Sequence, residues 1–161
     1  MRTILLLALA FSINALNAQT TLTASDFKNL DGTSWKGNLM YVNYGDGREV
    51  KLRTTMQLKI KGNKISMDTQ YTDEPSANGT DTIKISSDGK YLGKEEVIEK
   101  EVGENGYLKI VTRYEGKDNN RPAIMTKTYL ITENTFSVSK EVSYKDTTEV
   151  LIRNKTSYTK L

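Results

Sequence analysis

Lys140 is the side chain whose position asks for chemistry. It falls on the same strand face as Phe136, Val138 and Val142, an apolar row in which an ammonium is costly unless something opposes it. Tyr41, Tyr71 and Tyr158 fall on rows that face the same interior. A cation and a few phenols in apolar surroundings suit a small apolar or amphipathic ligand, with Lys140 anchoring an acidic head group. Two alternatives stay open. The tyrosines would serve an ordinary β core equally well. Lys140 would be neutralised by an inward carboxylate such as Asp81, or turned outward by a bulge.

Other chemistries are narrowed by composition. The chain has no His and no Cys, which removes the commonest general base near neutral pH and the commonest zinc ligands. Neither a Ser-His-Asp nor a Cys-His nucleophile system can be assembled. Glu95, Glu96 and Glu99 lie on a charged segment expected to be exposed. They make poor candidates for a glycoside-cleaving pair, which needs a cleft holding two carboxyls about 5–9 Å apart. Asp73-Glu74 and Asp118-Asn119-Asn120 are loop oxygens without calcium-loop spacing. Asn78-Gly79-Thr80 and Asn154-Lys155-Thr156 match the N-glycosylation pattern, which matters only in a host with that machinery. No catalytic residue, metal site or cofactor is expected, and an enzyme ranks behind a binding protein.

The elements that must position these residues have period two. From Val50 to Ile60, Val50, Leu52, Thr54, Met56, Leu58 and Ile60 form one row while charged and polar residues form the other. Such alternation means one face buried and one wet. Similar segments follow from Trp35 to Tyr44, from Ile65 to Tyr71, at Ile83 and Ile85, from Leu108 to Thr112, from Ala123 to Thr132, from Phe136 to Val142, and from Thr147 to Thr159. Turn signals separate them: Gly45-Asp46-Gly47, Lys61-Gly62-Asn63, Asp88-Gly89, Asn105-Gly106, Glu133-Asn134 and Lys145-Asp146. Longer loops are expected over Asp73–Gly79, with Pro75, and over Glu115–Pro122. Tyr91 to Val102 reads as one charged strand at an edge, the surface through which an interaction module would act. Only Asp26 to Leu30, after Ser25 and before Gly32, reads as helical, a single capped turn. The chain is therefore expected to be all-β, an antiparallel up-and-down barrel of about nine or ten strands with one short N-terminal helical turn. A two-sheet sandwich is the alternative.

Arg2 followed by the apolar run Ile4 to Phe11 and the small residues up to Ala18 has the layout of a secretory signal peptide. The apolar run is far shorter than the ~20 residues of a membrane-spanning helix. Residues 1–18 are expected to be removed, leaving residues 19–161 as one domain, exported to a periplasm or outside the cell, with no transmembrane anchor. Charged residues make up 27% and the net charge is only +3, with Lys and Glu interleaved. A nucleic-acid partner would need basic residues gathered on one face.

Leu30-Asp31-Gly32-Thr33-Ser34-Trp35, a helical turn leading through a Gly to a Trp at the first strand, resembles the opening of a lipocalin-like (calycin-type) barrel. The resemblance implies that Gly32 and Trp35 close the barrel floor, that Arg153 packs on the Trp35 indole, and that a small lipophilic ligand is carried inside. Trp35-Lys36-Gly37-Asn38-Leu39, Tyr71-Thr72-Asp73-Glu74-Pro75 and Gly116-Lys117-Asp118-Asn119-Asn120 are similar to segments of uncharacterised secreted proteins of Bacteroidetes-type bacteria. Lys61-Gly62-Asn63-Lys64-Ile65-Ser66-Met67-Asp68 and Asp88-Gly89-Lys90 resemble strands of LolA-type lipoprotein carriers, which are open half-barrels covered by helices. The leading expectation is a secreted ligand-binding barrel. The alternatives are a LolA-like carrier and a structural or interaction module with a filled core.

Overall fold

A computed structural model describes residues 21–161. The expected signal peptide lies outside the described residues. Ten strands follow in order: β1 (Ser34–Val42), β2 (Glu49–Lys61), β3 (Lys64–Tyr71), β4 (Gly79–Lys84), β5 (Tyr91–Leu92), β6 (Glu95–Val102), β7 (Leu108–Asp118), β8 (Arg121–Ile131), β9 (Thr135–Tyr144) and β10 (Val150–Lys160). Every strand pairs antiparallel with its chain neighbour, except that β4 and β5 share only the single bridge Ile85–Leu92. The meander turns back on itself where β1 pairs with β10, from Trp35 opposite Lys160 to Tyr41 opposite Asn154. The result is a nearly closed up-and-down barrel, not a sandwich.

Alternation sets which side chains enter. In β2, Leu52, Thr54, Met56 and Leu58 are buried while Lys51, Arg53, Thr55, Gln57 and Lys59 are exposed, as the period-two pattern requires. Turn chemistry fixes the register. Asn105 and Gly106 have φ of 54° and 72°, and Asn119 and Asn120 have φ of 48° and 64°. Two successive positive φ values give the hairpin turn whose twist matches that of the strands. Because Asn119-Asn120 turns so tightly, the loop expected over Glu115–Pro122 is mostly strand, and Asp118 ends β7 as a buried residue. Gly93, at φ 66°, breaks the strand expected over Tyr91–Val102 into β5 and β6.

The lower half of the barrel is filled. Trp35, Leu58, Ile65, Ile110, Ile131 and Phe136 are buried there in one cluster, and Trp35 is completely inaccessible. Its indole Nε1 donates to Thr33 Oγ1 at 2.8 Å, so the one polar atom of the ring is satisfied. A 3-10 turn, Ala24–Leu30, seals the floor with Phe27 and Leu30. Its cap is Thr23 rather than Ser25, with the Thr23 amide donating to Asp26 Oδ2 at 2.7 Å. Asp26 Oδ1 also takes the Lys100 ammonium at 2.7 Å. Lys100 donates to the Thr21 carbonyl at 3.2 Å, which pins the N-terminal segment to the inside of β6. Gly32 donates its amide to the Leu58 carbonyl at 3.0 Å with φ 69°, and so carries the turn into β1.

Arg153 is not at this end. Trp35 faces Lys160, whereas Arg153 lies beyond Asn154, the partner of Tyr41. The six steps from Trp35 to Tyr41 span about 20 Å at ~3.4 Å per residue. The expected Arg153–Trp35 stack is therefore replaced by a stack of the Arg153 guanidinium on Tyr44, 4.3 Å from the ring centroid, at the upper end.

Candidate functional site

Above the filled floor the barrel is hollow. A cavity of about 700 Å³ has Met56, Met67, Ile83, Leu92, Phe136 and Val138 on its apolar walls. Its polar lining comes from Tyr71, Asp81, Glu95, Tyr114, Lys127, Tyr129, Lys140, Asn154 and Tyr158. The β5–β6 hairpin turns at Gly93-Lys94, well below the upper rim. Gly79–Ile83 of β4 therefore pairs with β3 alone, and β7 above Arg113 pairs with β8 alone. The wall has a notch there, and Asp81, Thr82, Gly93, Lys94 and Tyr114 around it all line the cavity.

Of the four residues expected to contact a ligand, Lys140, Tyr71 and Tyr158 line this cavity. Tyr41 does not. It lines a second hollow of about 490 Å³ with Leu39, Val42, Tyr44 and Arg153. Lys140 and Asn154 border both spaces.

Lys140 points inward, its side chain 18% exposed. Its nearest carboxylate is Asp118, not Asp81, at 3.8 Å from Nζ to Oδ1. That carboxylate is already engaged. Tyr44 donates to Oδ1 at 2.7 Å, and Tyr144 donates to Oδ2 at 2.8 Å. Arg153 donates to Oδ2 through Nε at 3.0 Å and Nη2 at 2.5 Å. Burial alone would raise the Asp118 carboxyl, but these donors hold it below the usual carboxylate range. Burial pulls the Lys140 ammonium below the ordinary lysine value, Asp118 counters only part of that, and the Lys127 and Arg153 charges push the same way as burial.

Across the β8–β9 ladder Lys140 directly faces Lys127. Lys127 is paired with Glu95. Glu95 further accepts from Thr112 Oγ1 at 2.7 Å and from the Tyr129 hydroxyl at 3.4 Å. Burial, with Glu95 second, pushes the Tyr129 phenol far up, so it stays protonated. Of the two lysines that face each other across the β8–β9 ladder, Lys127 has its own anion and Lys140 borrows one that others hold.

Sequence reasoning placed Glu95 on an exposed face and Asp118 in a loop, and it passed over Lys127 and Tyr129. Glu95 shares the parity of the buried Val97, but a bulge between Val97 and Glu99 moves the inward row on to Lys100, so no single alternation runs through β6. The inward row Leu108, Ile110, Thr112 carried two and four residues further reaches Tyr114 and Gly116 and then Asp118, which was the available signal. Lys127 and Tyr129 share parity with the buried Met125 and Ile131, the same signal that marks Lys140.

No protein-family model matches the sequence, and no curated protein matches it. Among solved structures, Rv2717c from M. tuberculosis is similar, with a TM-score of 0.58 and 11% identity, over 88% of this chain and 99% of that one. At that identity the likeness concerns the barrel fold alone.

Proposed function

We propose that this is an exported, lipocalin-like binding protein that holds one small amphipathic molecule in the barrel. The observation that carries the reading is Lys140, an under-opposed ammonium on the wall of a cavity of about 700 Å³ with apolar sides. Pockets of roughly 300–1,000 Å³ suit small ligands, and a few polar groups within an apolar lining fix their orientation. Tyr71 and Tyr158 add aromatic lining beside Met56, Met67 and Phe136. Burying the ligand tail would supply affinity at ~25 cal/mol per Å², and an acidic head group would complete the charge balance at Lys140. The protein is a binder on this reading, with no turnover.

A filled-core interaction module accounts for the lower half of the barrel but leaves the hollow upper half without a purpose. A LolA-like carrier is an open half-barrel under helices, whereas these ten strands nearly close, and among the described residues the helical segments are two short 3-10 turns.

Native mass spectrometry of the chain as its host produces it, purified without detergent, tests this. A discrete additional mass that vanishes on denaturation is expected. A bare chain in both states, unchanged after the protein is offered a panel of fatty acids and other lipophilic carboxylates, would overturn it.

A further inference from the structure

We propose that Lys140 captures apolar aldehydes covalently, as a protonated imine with the Asp118 carboxylate as counterion. This rests on the interior being a ligand site and goes beyond it by naming the reactive class.

Three features meet at one atom. First, the Lys140 nitrogen lines a cavity deep enough for a long apolar tail, with Val138 and Phe136 on the same inward row of β9. Second, its surroundings raise the share of uncharged amine, the form that attacks a carbonyl, above that of an ordinary lysine. Burial and the facing Lys127 weaken the ammonium, the same device that activates lysines in imine-forming enzymes. Third, the product needs an anion nearby that is itself ionised at neutral pH. Asp118 lies 3.8 Å from Nζ and is locked by Arg153, Tyr44 and Tyr144, so it balances an iminium as it balances the ammonium.

The reaction needs no further reagent. The nitrogen lone pair forms the C–N bond, and the carbonyl oxygen takes up protons released by the nitrogen. The carbinolamine then loses water. An ammonium and an aldehyde thus become an iminium and one water molecule, with charge unchanged and no change of oxidation state. Lys127 does not compete, because Glu95 holds it as an ion pair.

The purified protein is incubated with one equivalent of decanal and sodium cyanoborohydride, digested, and mapped by mass spectrometry. A decyl group on Lys140 is expected at least about tenfold above the average of the other lysines, the selectivity of an activated over an ordinary amine. Lys140→Arg removes the adduct from that peptide, while Lys155→Arg, an exposed position on β10, leaves it in place. Decanoic acid, offered in parallel without reductant, separates the two levels of failure. If decanoate is retained but decyl groups scatter evenly over surface lysines, the imine proposal is overturned and the binding reading stands. If neither molecule is retained, both are overturned.

Discussion

Arg153 and Asp118 hold each other across the upper end of the barrel, Nε and Nη2 of the guanidinium lying 3.0 and 2.5 Å from one carboxylate oxygen. Both side chains are almost fully buried, and Tyr44 and Tyr144 complete the carboxylate's shell. Removing one member of such a pair strands the other charge, at a typical loss of 3–5 kcal/mol. Arg153→Met is therefore expected to destabilise the protein by about 3 kcal/mol in urea unfolding. Arg153→Met with Asp118→Asn together should cost less than the sum of the two single changes. Strict additivity would show that the pair is not coupled.

The same carboxylate sets an acid dependence. Asp118 is held below its ordinary value in the folded protein, so around pH 4 and just below it the unfolded chain binds more protons there than the folded one. The stabilisation is complete above about pH 4 and disappears as pH falls through the folded value. The stability gap between the protein and Asp118→Asn should accordingly narrow on acidification below pH 4, as followed by thermal unfolding across a pH series. A gap that stays constant would remove Asp118 as its source.

Lys140 has the opposite sign. Its depressed value means that the ammonium costs stability at neutral pH, a cost that lessens as pH rises through the folded value toward the ordinary lysine one. Lys140→Met should raise stability at pH 7 modestly, because Arg153, Tyr44 and Tyr144 still satisfy Asp118 while the desolvation of the ammonium is relieved. It should also weaken retention of an acidic ligand. A variant that loses stability, or that binds as before, would contradict the assignment.

Gly37 is fixed by the chain beside it. A Cβ there would lie 1.9 Å from the Ser157 carbonyl oxygen of β10, a backbone atom that cannot step aside. Gly37→Ala should cost about 3 kcal/mol or more and should loosen the β1–β10 ladder first, seen as faster amide exchange at Asn38 and Ser157, which face each other across it. Unchanged exchange would mean that the ladder yields more easily than its geometry allows.

Phe27 is the stopper of the floor. Phe27→Ala should destabilise by about 3 kcal/mol and should expose Trp35, the sole tryptophan, which is inaccessible in the intact barrel. Tryptophan emission that shifts to longer wavelength and becomes quenchable by acrylamide is the expected readout. Emission that remains blue and unquenched would mean that the floor closes without Phe27.

The barrel was largely legible because its strands are amphipathic. The row from Val50 to Ile60 announces one wet and one dry face, and the structure repeats it residue by residue. Lys140, Tyr71 and Tyr158 were found on the same logic. What escaped lies where parity is interrupted. Asn119-Asn120 turns as sharply as Asn-Gly because asparagine tolerates positive φ, so Asp118 looked like loop and is core. The bulge after Val97 moves the inward row of β6 from Glu95 and Val97 to Lys100, so the alternation that would mark Glu95 as the partner of Lys127 is broken. Arg153 was assigned to the wrong end because its neighbours on other strands depend on the β1–β10 register, a long-range property that no local pattern encodes.

That register also imposes a timetable. Tyr41 meets Asn154, so β1 must wait for β10. Hairpins from β2 to β4 and from β6 to β9 can form as they emerge, but the ring stays unlocked, with β1 lacking one neighbour, until β10 is made. A chain cut short before β10 would keep most of its strands and lose the join that makes them a container.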